Sequence, residues 1–335
     1  MYLHNLFTNI SQDYIKLYYI INIIIKNAEE TDMIDIALIG TGGMVPLQNR
    51  YLTSMAARLN GSMLLIDCGE GTQVTLKQLG WGFKNLDYIC ITHFHADHLA
   101  GLPGLLLTVG NSGRTEPLTI VGLTGIKNIV GHLRVIAPEL PFEIKFVELP
   151  PVETSCILGE YNISVLPLDH RIYCFGYALK INRTGKFDAG RAKQQEIPVK
   201  FWSKLQNGET IEDGDKKYAP DMVLGPARKG IKVAYITDTR PTDSIPQFIS
   251  GADLFICEGL YGDDEKKSKA EEHMHMVFSE AADLAKKGEV KEMWLTHYSP
   301  AMTSPEEYIK TAQNIFPNTK LGYDRLNTTI VFEEK

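Results

Sequence analysis

Residues 91–106 read ITHFHADHLAGLPGLL, and four potential metal ligands lie within six positions of this segment: His93, His95, Asp97 and His98. Neutral imidazole and carboxylate groups suit zinc and other borderline divalent ions. Because His93 and His95 are two residues apart, they face the same side of an extended segment. Asp97 and His98 fall on the following turn and can address a second ion. A solvated polar loop is the alternative, but a cluster of this kind disfavours it.

Outward from this segment, five apolar runs of the chain each stop at a His, an Asp or a Glu. ICIT, VLPLD, VAYIT, LFIC and MWLT stop at His93, His170, Asp238, Glu258 and His297. In open α/β sheets, functional residues gather at the carboxyl ends of strands, where loops converge. The pattern therefore predicts one site that is built from five strand ends.

Short apolar runs bounded by turn residues predict strands from residue 34 onward, and helical patterns lie between them. The strands are predicted at 34–39, 63–66, 88–91, 118–121, 144–149, 163–168, 175–181, 233–236, 254–257, 293–295 and 329–332, and the helices at 72–79, 102–109, 279–287 and 305–315. Strands interleaved with helices indicate an α/β protein.

The composition is that of an ordinary folded protein and excludes disorder, collagen and a disulfide scaffold. The 335 residues allow about two domains at roughly 150 residues each. The formal net charge of −7 argues, as an average, against a nucleic-acid partner. However, residues 180–232 carry 12 Lys and Arg against 7 Asp and Glu, a local net charge of +5, so the rest of the chain carries −12. A basic segment on an acidic body is compatible with RNA binding.

Two segments differ from the rest of the chain. Residues 183–229 are polar, turn-rich and basic, as expected of an arm inserted between two core strands. Residues 1–32 are rich in Ile, Tyr and Asn and lack the basic start and cleavage site of a secretory signal. We expect residues 1–32 to be an upstream extension, with translation starting at Met33, and residues 33–335 to form one catalytic domain.

Cysteine usage and hydropathy indicate a cytoplasmic protein. The five cysteines form no CxxC pair and mostly sit in apolar runs, which is typical of reduced, buried thiols. No segment approaches the ~20 apolar residues of a membrane-spanning helix, so no membrane partner is expected.

The motifs around the histidine cluster resemble the metallo-β-lactamase superfamily and, more specifically, the ribonuclease Z family. THFHADH with IDCGEGTQ upstream is typical of the superfamily, whereas GEGTQ combined with HLAGLPGLL and DTRP is much more specific. The matching segments are IGTGGMVPLQNRYLTS (39–54), LIDCGEGTQ (65–73), ITHFHADHLAGLPGLL (91–106), DHRIYCFGYAL (169–179), ITDTRP (236–241) and LTHYSP (295–300). They extend from about residue 34 to the end of the chain.

The resemblance implies a metallo-β-lactamase-like four-layer αβ/βα sandwich with two zinc ions at one edge, although manganese or another divalent ion is also possible. One ion would be held by His93, His95 and His170, the other by Asp97, His98 and His297, with Asp238 bridging both. The implied activity is removal of the 3′ trailer from precursor tRNA by phosphodiester hydrolysis, which leaves a 3′-hydroxyl on the tRNA.

The resemblance also implies catalytic roles beyond the metal ligands. Asp97 would act as general base, and His275 with Glu258 would form the pair that protonates the leaving group. The family often has Thr two residues after this histidine, where this chain has Val277. His273 is interpreted as an exposed residue at a helix start. Asp67 is expected to support the metal ligands by hydrogen bonding without touching the metal.

The inserted arm would grip tRNA in this family. Here Ile197-Pro198 is followed by Val199 rather than by the Gly-Pro element that is common there, which puts the grip in doubt but not the arm itself. Five basic side chains are candidates for phosphate contacts: Lys186, Arg191, Lys193, Lys200 and Lys204. For each of them a solvated surface position is an equally good interpretation. Phe201 or Trp202 would pack within the arm.

The family also implies a homodimer in which one subunit's arm serves the other subunit's site. Two alternative functions stay open. The first is a small-molecule phosphodiesterase or another hydrolase of the same fold, with a vestigial arm. The second is a non-catalytic binding protein with a degenerate site, which the intact set of ligand residues disfavours.

Overall fold

Two seven-stranded sheets dominate the computed structural model, which describes residues 33–333. The expectations for residues 1–32 therefore lie outside the described residues. The first sheet has the order β16-β1-β2-β3-β4-β5-β6, with β1 Met33–Gly40, β2 Ser54–Leu59, β3 Ser62–Ile66, β4 Leu86–Cys90, β5 Leu118–Leu123, β6 Ile144–Leu149 and β16 Asn327–Val331. The second has the order β15-β14-β13-β12-β9-β8-β7, with β7 Thr154–Leu158, β8 Tyr161–Leu168, β9 Cys174–Arg183, β12 Arg228–Ile236, β13 Leu254–Glu258, β14 Met293–Thr296 and β15 Thr319–Leu321.

Alternating side chains place the sheets face to face and leave their outer faces for helices. In β1, Ile34, Ile36 and Leu38 enter the core that both sheets share, whereas Ala37 and Ile39 enter a second core on the outer face of the first sheet. This is the two-residue period of a strand that is buried on both faces.

Helices complete the outer layers on both sides. The first sheet is covered by α1 Thr72–Leu79, α2 Leu102–Asn111 and α3 Ile126–Leu133, and the second by α6 Ser244–Ile249, α8 Phe278–Lys287 and α9 Ile309–Gln313; α7 spans Lys267–His273. The predicted helix 305–315 is instead a 3-10 turn followed by α9. The order helices, sheet, sheet, helices confirms the four-layer αβ/βα sandwich. No helix in residues 33–333 is long and apolar enough to cross a bilayer.

The basic insertion between β9 and β12 folds as an arm with a core of its own. It contains α4 Ala189–Gln194, α5 Trp202–Gln206 and a hairpin of β10 Ile211–Asp213 and β11 Lys216–Tyr218. Ala192, Ile197, Leu205, Tyr218 and Val223 are buried together, with Phe201 and Trp202 packed against them. The predicted packing of these two aromatic side chains within the arm is thus confirmed.

Candidate metal centre

The carboxyl ends of four strands meet at one edge of the sandwich and bring the predicted ligands together. His93 follows β4, His170 follows β8, Asp238 follows β12 and His297 follows β14. Both sheets contribute to this edge: β4 belongs to the first sheet, and the other three strands belong to the second sheet, which faces it. Three of these four strand ends therefore depend on how the second sheet packs onto the first.

One group of ligand atoms consists of three histidines and one carboxylate oxygen. His95 Nδ1 lies 3.0 Å from His93 Nε2 and 3.3 Å from His170 Nε2. Asp238 Oδ2 lies 3.6 Å from His93 Nε2 and 3.8 Å from His170 Nε2. Four ligand atoms at such spacing fit the coordination of a single divalent ion.

A second group shares Asp238 with the first. Asp97 Oδ2 lies 3.7 Å from His98 Nε2 and 3.5 Å from His297 Nε2. The other oxygen of Asp238, Oδ1, lies 3.3 Å from His98 Nε2 and 3.2 Å from His297 Nε2. The two oxygens of one carboxylate thus face two different groups, which is the arrangement a bridging ligand requires.

Unpartnered nitrogens support a cation at the second group. Both ring nitrogens of His297 and Nε2 of His98 are buried and have no hydrogen-bond partner among the described residues. Leaving a buried polar atom unpaired costs about 1–3 kcal/mol. A divalent ion that accepts the lone pairs of the two Nε2 atoms removes that cost for both of them, so the residues fit a metal.

The electrostatics of the first group also suit a metal. Burial lowers the pKa of His93, His95 and His170, so these rings are neutral and their lone pairs are available. Burial opposes ionisation of Asp238, but His297, His98 and His93 outweigh it and hold the pKa of this carboxyl well below its ordinary value. The first group therefore combines three neutral imidazoles with an ionised carboxylate.

Three residues of the site have a left-handed backbone conformation, which L-amino acids rarely adopt. Asp67, Asp238 and His297 have φ angles of 61°, 33° and 58°. Such left-handed conformations cost about 1–3 kcal/mol each and persist where the surrounding structure enforces them. Here each lies within two residues of the end of a buried strand, and the backbone turns a ligand, or its hydrogen-bond partner, toward the centre.

Asp67 lies behind the ligands rather than among them. Its Oδ2 is 2.8 Å from Nδ1 of His98, and its Oδ1 accepts the backbone N–H of Thr92 at 2.9 Å. The Thr92 hydroxyl also contacts Asp67 and Nδ1 of His93. This geometry orients the two histidines and directs Nε2 of His98 toward Asp97 and Asp238.

We expect Asp67→Asn to weaken metal binding about 10- to 100-fold, because an amide orients His98 less strongly than a carboxylate does. Isothermal titration calorimetry, in which metal is added to the metal-free protein, measures the metal affinity. Ser62→Ala, which removes a hydrogen bond to Asp87 elsewhere in the same sheet, serves as control. Unchanged metal affinity in Asp67→Asn would contradict the supporting role.

A glycine-rich turn closes over the second group. A Cβ atom at Gly43 would lie 2.6 Å from the His297 ring, so only glycine permits this approach. The next residue, Met44, donates its backbone N–H to Asp97 Oδ2 at 2.7 Å. The turn thereby fixes the Asp97 carboxylate beside His297.

His275 and Glu258 form a buried pair next to the centre. His275 Nδ1 lies 3.1 Å from both oxygens of Glu258, and its Nε2 lies 3.9 Å from Asp238 Oδ2. Burial lowers the pKa of His275, but Glu258 and Asp238 outweigh it and raise the pKa to about 9. The ring is therefore protonated near neutral pH, as a proton donor must be.

The centre opens into a cleft of about 560 Å³. Besides Asp97, His275 and His297, its walls include the basic side chains of Arg171 and Lys269. His273 lines it too, as the half-buried last residue of α7. The interpretation of His273 as an exposed residue at a helix start was therefore wrong, because the helix runs before it rather than after it.

The predicted phosphate-binding residues lie apart from this cleft. All five are exposed on the arm, and none of them lines the cleft: Lys186, Arg191, Lys193, Lys200 and Lys204. The Arg191 guanidinium donates to the backbone carbonyls of Leu224 and Asp221, both at 3.0 Å, so it also braces the arm. Lys200 lies 3.6 Å from Asp213 and over the ring of Phe201.

Sequence reasoning missed the roles of Thr92 and Arg240. Thr92 is the last residue of the run ICIT, and a hydroxyl beside a ligand cluster is a usable signal. Arg240 lies in the DTRP segment and contacts Glu280, 40 positions away in the chain. No local pattern reveals such a pairing.

Comparisons with known proteins agree with the fold. A family model described as a beta-lactamase superfamily domain matches residues 195–298, and one described as anti-Pycsar protein Apyc1 matches residues 34–124. The solved structure of human tRNase Z, short form, has a TM-score of 0.64 at 24% identity and covers 90% of this chain and 100% of that one. This likeness shows the shared fold.

Curated relatives give the family. A protein named ribonuclease Z from Lachnoclostridium phytofermentans is 53% identical over 303 residues, which cover 90% of this chain and 99% of that protein. Another of the same name, from Clostridium kluyveri, is 54% identical over 303 residues, which cover 90% of this chain and 100% of that protein. The chain therefore belongs to the ribonuclease Z family of the metallo-β-lactamase superfamily.

Proposed function

We propose that this protein removes the 3′ trailer from precursor tRNA by metal-dependent phosphodiester hydrolysis and leaves a 3′-hydroxyl on the tRNA. The observation that carries the proposal is the position of Asp238, whose two oxygens face two ligand groups beside the buried pair of His275 and Glu258. Incubation of the purified protein with a 3′-extended precursor tRNA and zinc or manganese tests it. Cleavage directly after the tRNA body is expected, and cleavage at scattered positions or none at all would contradict it.

The ligand set fits two divalent ions. His93, His95 and His170 would hold one, Asp97, His98 and His297 the other, and Asp238 both. Imidazole and carboxylate ligands suit zinc, and manganese is also compatible with them. When bound, two such ions would supply a nucleophile at neutral pH and would stabilise the attacking and leaving oxygens.

The protein side chains move the protons of the reaction. In the proposed step, a water oxygen forms a bond to phosphorus while the bond from phosphorus to O3′ breaks. The carboxylate of Asp97 takes the proton of the attacking water. His275 donates its Nε2 proton to the departing O3′, and Glu258 holds the ring through Nδ1–H.

We expect His275→Ala to lower kcat on precursor tRNA about 10²- to 10⁴-fold, because a ribose alkoxide leaves poorly without a proton. Metal content, measured by plasma mass spectrometry, is expected to stay that of the wild type. His132→Ala, which changes an exposed histidine of α3, serves as control. An unchanged kcat, or a loss of metal in His275→Ala, would refute the donor role.

The arm is the proposed tRNA grip. Residues 180–232 carry a local net charge of +5, and electrostatic contact with phosphates is the main source of affinity for nucleic acids. Lys186, Arg191, Lys193, Lys200 and Lys204 are the proposed contacts. Because they lie outside the cleft of their own subunit, a homodimer in which each arm serves the partner's site is part of the proposal.

The alternatives from the sequence find no support in the structure. A vestigial arm would have no need of the buried core around Leu205 and Tyr218. A degenerate site would not bring all seven ligand residues within reach of two ions. The cytoplasm is the proposed location, since all five cysteines are free.

A further inference from the structure

We propose that Arg240 is a positioning residue that holds the proton donor His275 in place, by a direct hydrogen bond to its carbonyl and through Glu280. The inference rests on the proposed function, since it concerns the donor role of His275. It assigns to Arg240 the task of joining two turns of the active site, the one that carries Asp238 and the one that carries His275.

The turn that carries His275 is a four-residue connection between α7 and α8, residues 274–277. Its first residue, Met274, has a left-handed φ of 63°. The His275 N–H donates to the Ala270 carbonyl at 2.8 Å, and the Met276 N–H donates to Glu258 Oε2 at 3.3 Å. These contacts leave the carbonyl of His275 to be held from another element.

Arg240 supplies that contact from the end of β12. Its Nη1 donates to the His275 carbonyl and, at 3.0 Å, to Glu280 Oε2. Its Nη2 donates to Glu280 Oε1 at 2.5 Å. The Arg240 and Glu280 side chains are only 15% and 11% exposed, so this forked pair is shielded from water and stronger than a surface ion pair.

Glu280 in turn holds the other end of the turn. Its Oε2 accepts the N–H of Val277, the residue that caps α8, at 3.1 Å. Helix caps are usually Ser, Thr, Asp or Asn, whose side chains bond to the first turn of the helix. Val277 has no such group, so the Glu280 side chain holds the start of this helix in its place. Arg240 in turn holds the Glu280 carboxylate.

The backbone of Arg240 is hydrogen-bonded to a residue that neighbours a metal ligand. Arg240 follows Asp238 by two residues, and its N–H donates to the carbonyl of Asp169 at 2.9 Å, next to the ligand His170. The Asp169 N–H donates to the Thr239 hydroxyl at 3.0 Å. One side chain therefore ties the position of His275 to two elements that carry metal ligands.

The consequence concerns the proton transfer and not the metals. Without the Arg240 guanidinium, Glu258 still holds the ring of His275. However, the His275 carbonyl loses its hydrogen bond, and the Glu280 carboxylate that accepts the Val277 N–H loses its partner. A displacement of about 1 Å of a reacting group can cost about 10²-fold in rate. The cost falls on the donation of a proton to O3′.

Two substrates with different leaving groups separate this role from a merely structural one. The ribose O3′ of precursor tRNA needs a proton to leave, whereas the nitrophenolate of bis(p-nitrophenyl) phosphate leaves without one. We would measure kcat, KM and metal content for Arg240→Ala, Arg240→Lys and Glu280→Gln. His275→Ala is the reference, and Arg58→Ala, which breaks a forked pair with Asp35 in the first sheet, is the control.

We expect Arg240→Ala and Glu280→Gln to lower kcat on precursor tRNA about 10- to 100-fold, with KM and metal content unchanged. On the nitrophenyl ester the loss stays below about threefold. Arg240→Lys gives an intermediate loss, because one ammonium group cannot reproduce the planar fork. Arg58→Ala leaves both reactions unchanged.

Equal losses on both substrates, or no loss on either, would overturn the inference, provided that His275→Ala distinguishes the two. If His275→Ala lowers both reactions equally, the donor role of His275 fails instead. Thermal unfolding reports whether each variant is folded. If Arg240→Ala is not folded, Arg240→Lys and Glu280→Gln decide the question. For each of them, the loss of kcat on precursor tRNA is compared with the loss on the nitrophenyl ester.

Discussion

Asp238→Ala is expected to lower the cleavage of precursor tRNA at least about 1,000-fold and to release bound metal. Metal ions supply several kcal/mol of charge stabilisation in hydrolysis, and each 1.36 kcal/mol is a tenfold change in rate. Asp238 faces both ligand groups, with Oδ2 toward His93 and His170 and Oδ1 toward His98 and His297. Its loss therefore weakens both groups at once, which no other single ligand would do.

The measurement combines plasma mass spectrometry of the dialysed protein with cleavage assays at fixed zinc. Asp238→Asn is a second variant that keeps the size of the side chain and removes the charge. Asp243→Ala, which changes an exposed acidic residue just before α6, is the control and should keep both metal and activity. Full metal content and activity in Asp238→Ala would refute the assignment of the centre.

Excision of the arm is expected to abolish the cleavage of precursor tRNA while it spares the hydrolysis of a small phosphodiester. The ends of the arm lie close together, since Arg183 in β9 pairs with Arg228 in β12, and the Gly225 N–H donates to the Lys186 carbonyl at 2.9 Å. Residues 185–226 can thus be replaced by Asn-Gly, which favours the tight turn of a two-residue hairpin.

The expected loss on precursor tRNA is about 10²- to 10⁴-fold in kcat/KM, because a second binding module on the same substrate contributes through effective concentration. Hydrolysis of bis(p-nitrophenyl) phosphate should stay within about threefold, since the cleft and its ligands lie outside the arm. A variant with the four changes Lys186→Gln, Lys193→Gln, Lys200→Gln and Lys204→Gln keeps the hydrogen bonds by which Arg191 braces the arm and removes four of the five proposed contacts. It should reproduce most of the loss and flatten the salt dependence of binding. Equal loss or equal retention of both activities would contradict the proposed role.

The sequence did not predict β2, β7, β10, β11 and β15, and β2 is the longest of these five strands. β2 contains SMAARL, with two alanines and an arginine, but it lies between β1 and β3 and is buried almost throughout. Strand preference depends mostly on packing against neighbours, so a central position outweighs composition. Every predicted strand, by contrast, carried an apolar run and is present in the structure.

Sequence alone determined the kinds of ligand, their place at strand ends and the family, because these are local patterns of chain and chemistry. His93, His95, Asp97 and His98 are neighbours in the chain, so their grouping needed no fold.

Tertiary structure decided the rest. Only the packing of two sheets places the oxygens of Asp238 between ligands from three other strand ends. Only the approach of α8 to the end of β12 brings Arg240 to Glu280 and to the carbonyl of His275. The physical reason is the same in both cases: these are contacts between residues distant in the chain, and no residue pattern along the chain encodes the distance between two oxygens in space.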